Sequence, residues 1–182
     1  MKQGVRALGV AESYTGDRST LAGAVVRADR VVDGFAFGSC TVGGTDATAG
    51  IYDLYDRLDR EDLRYLLVAG IAPAWYNIVD LCELHERTDR PVLAVSFEES
   101  AGLEPAINEA FDGEEATRRL DTYRSLPDRR RVSVPGGAVF VRAVGIDDEE
   151  AAAVVRAFTP EGGRPEPLRV ARLAARAADR RE

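Results

Sequence analysis

The chain has 182 residues, of which 45% are hydrophobic and 30% charged, and its formal net charge is −7. This composition excludes collagen-like, disulfide-rich and wholly disordered chains, and no apolar run approaches the roughly 20 residues that cross a bilayer. A chain of this length can bury on the order of 70% of its unfolded surface. We therefore expect one globular domain over residues 1–182. A reducing cytoplasm is the expected compartment, since Cys40 and Cys82 lie inside apolar segments and the first residues do not resemble a secretory leader.

Three β-rich segments open the chain, and they predict an antiparallel meander. The segments are residues 5–11, 20–28 and 31–42. From Thr45 onward the apolar residues fall at helical spacing, which predicts an amphipathic helix with Thr45 or Asp46 as its N-cap.

Two nearly continuous apolar segments follow, at residues 64–70 and 91–97, and are typical of buried parallel strands. A helix is predicted between them, from Trp75 or Tyr76 to Arg87. The resulting order β-β-β-α-β-α-β resembles that of ribonuclease H-like domains, an α/β fold with a mixed sheet in which the first and fourth strands are neighbours. The C-terminal additions are predicted as helices near residues 103–111, 114–125, 147–158 and 167–180 and a strand over 138–144.

Five segments, in order along the chain, carry a resemblance to a known family. They are RALGVAES (6–13), VGGTDAT (42–48), VAGIAPAWYNIVD (68–80), RPVLAV (90–95) and PEPLRVARLAARA (165–177). Together they resemble the archaeal endonuclease dU family, also called domain-of-unknown-function family 99 and uncharacterised protein family 0215, which is similar to endonuclease V. The resemblance implies a metal-dependent DNA endonuclease, a hydrolase of DNA repair that acts near deaminated bases such as deoxyuridine or deoxyinosine.

Such a nuclease uses Mg²⁺ or Mn²⁺ held by carboxylates to activate water and to neutralise the leaving oxygen. The resemblance places one aspartate at the end of the first strand and another at the end of the fourth, but the chain has Ala11 and Ala69 there. Glu12 is the next residue, yet side chains alternate along a strand, so it is expected to point away from the Ala11 side. Asp46 survives in the helical segment. If the chain cuts DNA, we expect Asp46 and Glu12 to hold the metal.

Asp80 completes the predicted catalytic set, and Glu98 is the alternative assisting carboxylate if the chain cuts DNA. A purely structural role is the other possibility for Asp80. Asp46 likewise has an alternative as a helix cap. In the predicted helix Asn77 and Asp80 are three residues apart and share one face, where they contact substrate or solvent. Trp75 and Tyr76 follow the fourth strand and are predicted to stack on a base, with packing in the core as the alternative.

Basic residues are concentrated in the last part of the chain. Residues 1–112 carry 10 basic and 19 acidic groups, whereas residues 113–182 carry 14 basic and 12 acidic groups. Residues 118–142 contain seven arginines and only two aspartates, and arginine forks suit phosphate oxygens. DNA contact is predicted for Arg129, Arg130 and Arg131 of this segment, together with Trp75, Tyr76 and Asn77. A further set in the last helix either contacts phosphate or pairs with the acidic front of the chain. This set is Arg169, Arg172, Arg176 and Arg180.

Other titratable residues are interpreted as structural. They are the acidic pair Glu98 and Glu99, the acidic run at residues 147–150, and His85.

Two hypotheses therefore remain for the function. The first is an endonuclease with DNA as its partner. The second is a non-catalytic nucleic-acid-binding or protein-interaction domain that kept the scaffold, and it is motivated by alanine at both aspartate positions.

Overall fold

A computed structural model of the chain describes residues 1–180 as a central sheet with helices on both faces. The strands are β1 (Arg6–Tyr14), β2 (Arg18–Arg27), β3 (Val32–Thr41), β4 (Leu63–Ala69), β5 (Val92–Ser96), β6 (Arg130–Val134) and β7 (Gly137–Val144). The helices are α1 (Ala47–Leu58), α2 (Pro73–Tyr76), α3 (Leu81–Thr88), α4 (Glu104–Ala110), α5 (Gly113–Ser125), α6 (Asp148–Ala157) and α7 (Glu166–Asp179). Within this part of the chain, no helix has the length and apolar character that a membrane span requires.

The seven strands lie in the order β3-β2-β1-β4-β5-β7-β6. The first three pair antiparallel, and β4 and β5 then run parallel to β1. The last two strands close the sheet antiparallel, with β7 beside β5 and β6 at the edge. The predicted ribonuclease H-like order is confirmed, including the adjacency of the first and fourth strands.

Alternation along β1 divides its side chains between two cores. Leu8 and Val10 pack in a core with residues of α1 and α3. Ala7 faces the other side, in a core with residues of α6 and the start of α7, and Ala11 packs on that side against Ala171 of α7. This strand therefore has helices on both faces, as expected for a buried parallel strand.

The C-terminal helix α7 approaches β1 closely because the strand has a glycine under it. A Cβ placed on Gly9 would lie 2.3 Å from the carbonyl carbon of Pro167, so a larger residue would push the helix off the sheet. Ala171 and Ala175 continue the small, buried face of the helix. This close packing brings α7 down to the strand that carries Ala11.

The structure corrects two sequence predictions. The helix predicted to start at Trp75 or Tyr76 begins only at Leu81, because Ala74 to Tyr76 adopt left-handed backbone angles and Asp80 caps the helix proper. Asn77 and Asp80 therefore precede the helix and do not share a helical face. Strand β6 has no counterpart among the predicted strands, since its five residues begin with two arginines and offer only a brief alternation of buried valines.

Candidate functional site

A pocket of about 680 Å³ opens at the carboxyl ends of β1, β4 and β5. Ligands of open α/β sheets commonly bind at this edge, and the volume is in the range of small-molecule sites. Its apolar wall includes Ala69, Ile71 and Val95. Polar and aromatic side chains complete the lining, and they are Glu12, Ser96, Phe97, Glu98, Glu99, Ser100, Tyr123, Arg129, Arg142 and Arg164.

Two of the pocket arginines are held in place by backbone oxygens. Arg129 donates from Nη2 to the carbonyl of Glu98 at 3.1 Å, and its guanidinium lies 4.4 Å from the ring centre of Phe140. Arg142, on β7, donates from Nη1 to the carbonyl of Pro127 at 2.5 Å. Neutral partners leave the positive charge of both guanidinium groups available to an anion.

Arg164 is the third pocket arginine and stacks on an aromatic ring. Its guanidinium carbon lies 3.9 Å from the ring centre of Phe97. Burial lowers the pKa of Arg164, and the nearby positive charges of Arg172 and Arg176 lower it further. An anion bound here would relieve both the repulsion and the loss of hydration.

Arg164 is not among the predicted DNA contacts, and Arg142 belongs to the arginine-rich segment 118–142 without being one of the contacts predicted individually. Arg142 lies in a β-strand, where only the pairing of β7 with β5 shows that it reaches the pocket. Arg164 lies in the Pro/Gly-rich segment before α7, directly preceding the PEPLR motif. Its position next to this motif is the one feature of the sequence that could have marked Arg164 as a candidate site residue.

The family resemblance implies aspartates at positions 11 and 69. Both positions are alanines, and both alanines pack against other apolar residues. Ala11 is 5% exposed and belongs to a cluster with Ala24, Val26 and Ala171. Ala69 packs against the same cluster. Since Val10 pairs with Val68 across the parallel strands, the next residues on each strand lie side by side, as predicted.

Glu12 lies on the face of β1 opposite Ala11, as alternation requires, and lines the pocket. Its carboxylate accepts a hydrogen bond of 2.5 Å from the hydroxyl of buried Ser19. Cys40 lies nearby. Burial, with the charges of Asp46 and Glu12, raises the pKa of the Cys40 thiol to about 12, so this thiol stays protonated at neutral pH.

Asp46 precedes α1 at the N-cap position, but its side chain bonds elsewhere. Oδ1 accepts from the backbone N–H of Thr41 at 2.9 Å, and Oδ2 accepts from the Thr41 hydroxyl at 2.9 Å. Burial acts to raise the pKa of Asp46, but the hydrogen bonds from Thr41 and Asn77 outweigh it and hold the pKa below its ordinary value. The carboxylate is therefore ionised and engaged in the loop before α1.

Asn77 is fully buried and connects that loop to the segment after β4. Its Oδ1 accepts the N–H of Ala47 at 2.9 Å, the contact that a capping side chain normally makes. Its Nδ2 donates to the carbonyl of Thr41 at 2.9 Å.

Asp80 caps α3, since its Oδ1 accepts the N–H of Glu83 at 3.0 Å. The side chains of Asn77 and Asp80 thus both make hydrogen bonds that stabilise the fold.

The residues present do not fit the metal site that the family resemblance implies. Across residues 1–180 there is no group of three or more His, Cys, Asp or Glu side chains placed to hold an ion. Hard cations need several converging oxygens, and the methyl groups of Ala11 and Ala69 supply none. Metal binding by Asp46 and Glu12 stays a prediction.

The remaining predicted DNA contacts lie in two places. Trp75 is 48% exposed and Tyr76 is partly buried, and both rings contact Phe111. Arg130 and Arg131 are exposed on the edge strand β6, where Arg130 lies 3.2 Å from the carboxylate of Asp148. Of the three consecutive arginines, only Arg129 lines the pocket.

Comparison with known proteins agrees with this architecture. The model of a family described as endonuclease dU matches residues 3–179. A UPF0215 protein of Pyrobaculum aerophilum is 33% identical over 175 residues, which cover 94% of this chain and 92% of that protein. A crystal structure of an Archaeoglobus fulgidus protein of unknown function has a TM-score of 0.86 at 25% identity, covering 95% of this chain and 97% of the other.

Endonuclease V has the same fold. The Ciona intestinalis endonuclease V, crystallised with a 23mer DNA containing an inosine, has a TM-score of 0.66 at 14% identity and covers 97% of this chain and 86% of its own. At this identity the likeness is one of fold. The family match and this fold together support a nuclease-like function.

Proposed function

Since the chain belongs to the endonuclease dU family, we propose that it binds DNA at a deaminated base and has lost the metal-dependent cleavage step. One observation carries this proposal. The two positions that need carboxylates carry the methyl groups of buried Ala11 and partly buried Ala69, while three arginines and three glutamates line the adjoining pocket. The arrangement favours holding an anionic polymer over activating water.

The chemistry of the pocket fits a deaminated base. Deamination replaces an exocyclic amino group with a carbonyl, which converts a hydrogen-bond donor into an acceptor. An arginine fork can donate to that carbonyl, and a carboxylate such as that of Glu12 can accept from the neighbouring ring N–H. Phe97 and Tyr123 add aromatic surface to the same lining.

The phosphate backbone supplies the other half of the interaction. Arg129, Arg142 and Arg164 present guanidinium groups at one edge of the sheet. Contacts of this type fix a nucleic acid in position, and contacts to the base edge supply the selectivity. We expect this binding in the cytoplasm, in keeping with the free thiols of Cys40 and Cys82.

Binding and cleavage are tested together on labelled duplexes that contain one deoxyuridine, one deoxyinosine or no damage. Fluorescence anisotropy should show tighter binding to a damaged duplex than to the undamaged one. Denaturing gels should show no nicking above a no-protein control, with or without Mn²⁺. Arg164→Met should weaken binding, whereas Arg169→Met should not, because Arg169 already pairs with Glu166.

Two results would overturn the proposal. Equal affinity for damaged and undamaged duplexes would remove the selectivity for deaminated bases. Mn²⁺-dependent nicking that disappears in Glu12→Gln and in Asp46→Asn would restore the endonuclease hypothesis and identify the predicted ligands.

A further inference from the structure

The segment after β4 contains three consecutive non-glycine residues with left-handed backbone angles. Ala74, Trp75 and Tyr76 have φ values of 48°, 55° and 60°. This conformation is unfavourable for L-residues with a side chain and is rare as a consecutive run. Such a turn persists only where surrounding contacts hold it, and strained segments of this kind are concentrated at functional sites.

A buried arginine on α5, Arg119, donates hydrogen bonds both to this turn and to the loop that follows β3. The Arg119 side chain is 2% exposed. Its Nε donates to the carbonyl of Tyr76 at 3.2 Å, and its Nη2 donates to the carbonyls of Gly43 and Gly44 at 2.6 and 3.1 Å. Nη1 donates to the carbonyl and the carboxylate of Glu115 at 2.9 and 2.7 Å. All five N–H groups of the guanidinium therefore have partners.

The same guanidinium lies 3.7 Å from the ring centre of Phe111, whose ring also contacts Trp75 at a centroid distance of 5.1 Å. A direct hydrogen bond of 2.7 Å from the N–H of Gly43 to the carbonyl of Ala74 joins the two loops. Gly43 also lies against the indole, since a Cβ on Gly43 would be 2.8 Å from its Cε3 atom. Hydrogen bonds and ring contacts thus connect the turn, the loop with Gly43 and Gly44, and α5.

The turn presents a large aromatic ring to solvent. Trp75 is 48% exposed although its backbone is fixed by buried contacts on both sides. The turn directly follows Ile71 to Pro73, which line the arginine pocket. An exposed aromatic held beside a pocket that carries three arginines resembles single-strand binding surfaces, in which bases stack on aromatic rings and arginines contact phosphates.

We propose that Arg119 is a positioning residue that holds the left-handed turn so that the indole of Trp75 stacks on an unpaired nucleobase of the bound DNA. The inference rests on the proposed function and adds a second contact point outside the pocket. Holding the ring in advance removes the ordering cost that a flexible tryptophan would incur on binding. The guanidinium acts through Trp75 and does not itself touch DNA.

The sequence provides a direct probe, because Trp75 is the only tryptophan in the chain. Its fluorescence is recorded during titration with an unlabelled single-stranded oligonucleotide containing one deoxyuridine, and affinity is measured separately with a labelled copy. Wild-type emission should be quenched on binding. Trp75→Ala should lower affinity about tenfold, and Trp75→Phe should retain most of it.

The positioning role is tested with Arg119→Met, matched by Arg118→Met on the same helix, where the side chain is exposed. Arg119→Met should lose most of the quenching and about as much affinity as Trp75→Ala. The double variant with Trp75→Ala should lose no more than either single variant, because both changes remove one interaction. Arg118→Met should resemble wild type in the quenching of Trp75.

Circular dichroism and thermal unfolding check that each variant is folded. If Arg119→Met does not fold, Arg119→Lys replaces it, since a lysine keeps the charge but has three donors in place of five. Full quenching in a folded Arg119 variant, or additive losses in the double variant, would overturn the positioning role. Wild-type binding without any change in Trp75 emission would overturn stacking alone. No binding by wild type to the single strand would likewise overturn only this inference, whereas no binding to the damaged duplexes either would overturn the proposed function as well.

Discussion

The side-chain amide of Asn77 donates a hydrogen bond of 2.8 Å to the carboxylate of Asp46. Through this contact a residue that follows β4 organises the loop that precedes α1. Asp46 in turn bonds to Thr41, so its oxygens already have protein partners. A metal ion at Asp46 would have to displace these hydrogen bonds.

Replacing Asn77 with Ala is expected to lower the free energy of unfolding by about 2–4 kcal/mol. The change removes three hydrogen bonds in a fully buried position and leaves the N–H of Ala47 without its cap. Urea unfolding followed by circular dichroism measures the effect. Asn108→Ala, at an exposed position on α4, should change stability by less than about 0.5 kcal/mol. Equal effects of the two substitutions would contradict the structural role of Asn77.

The lowered pKa of Asp46 predicts a specific pH dependence. A carboxyl whose pKa is lower in the folded than in the unfolded state contributes stability above its unfolded pKa, near 3.9, and this contribution is lost as the pH falls through the folded value. The stability difference between wild type and Asp46→Asn should therefore be constant near neutral pH and shrink below about pH 4. Urea unfolding at a series of pH values from 7 to 3 measures it. A difference that stays constant to pH 3 would refute the assignment.

Introducing the two missing carboxylates tests whether the strand ends can still accept a metal. Ala11→Asp with Ala69→Asp should lower stability by about 3 kcal/mol or more, because unpaired charges enter an apolar cluster. Mn²⁺ at 100 times its dissociation constant should restore about 2.7 kcal/mol. Thermal unfolding with and without Mn²⁺ reports both effects.

The control for this experiment is Ala24→Asp, which places one carboxylate in the same cluster. It should destabilise the chain without rescue by Mn²⁺, since a single carboxylate offers too few oxygens. Wild type should show no shift with Mn²⁺. Stabilisation of wild type by Mn²⁺ would instead point to the predicted ligands Asp46 and Glu12.

Salt dependence separates the arginines that bind DNA phosphates from those that do not. Removing one arginine that neutralises a phosphate should reduce the slope of log affinity against log salt by about 1. We expect this reduction for Arg129→Met and Arg164→Met, which remove pocket guanidinium groups. Arg130→Met should change the slope less, because Arg130 lies at the sheet edge beside Asp148. An equal change for all three would place the DNA path along β6 as well.

Cys40 is expected to resist alkylation. With its pKa near 12, only about one thiol in ten thousand is ionised at pH 8, and its side chain is buried. Partly exposed Cys82 should react first with iodoacetamide, and mass spectrometry should find modification of Cys40 only after denaturation. Rapid labelling of Cys40 in the folded chain would contradict its burial.

Strand periodicity predicted most of the fold, and it also predicted that Glu12 and Ala11 lie on opposite faces of β1. The apolar segments identified β4 and β5, and alternation alone separated the direction of Glu12 from that of Ala11. The left-handed turn escaped prediction because Ala, Trp and Tyr have no intrinsic preference for it. The turn is held by contacts from residues far away in sequence, Arg119 to the carbonyl of Tyr76 and Gly43 to the carbonyl of Ala74, and no local pattern records them.

The positions of the pocket arginines also depend on contacts between residues that are distant in sequence. All three consecutive arginines were predicted to contact DNA, yet only Arg129, which precedes β6, lines the pocket, and Arg130 and Arg131 are exposed on the edge strand. Arg142 and Arg164 join Arg129 because β7 pairs with β5 and because the segment before α7 returns to the sheet. Tertiary connections of this kind lie outside what composition and spacing can predict.

The packing of α7 on β1 also has a consequence for how the chain folds. The hydroxyl of Ser13 donates to the carboxylate of Asp179, a contact between residues 166 positions apart. One apolar face of β1 thus stays without its helix until nearly the whole chain has left the ribosome. Contacts of such long range slow folding, and they leave apolar strand surface exposed to aggregation until the helix docks.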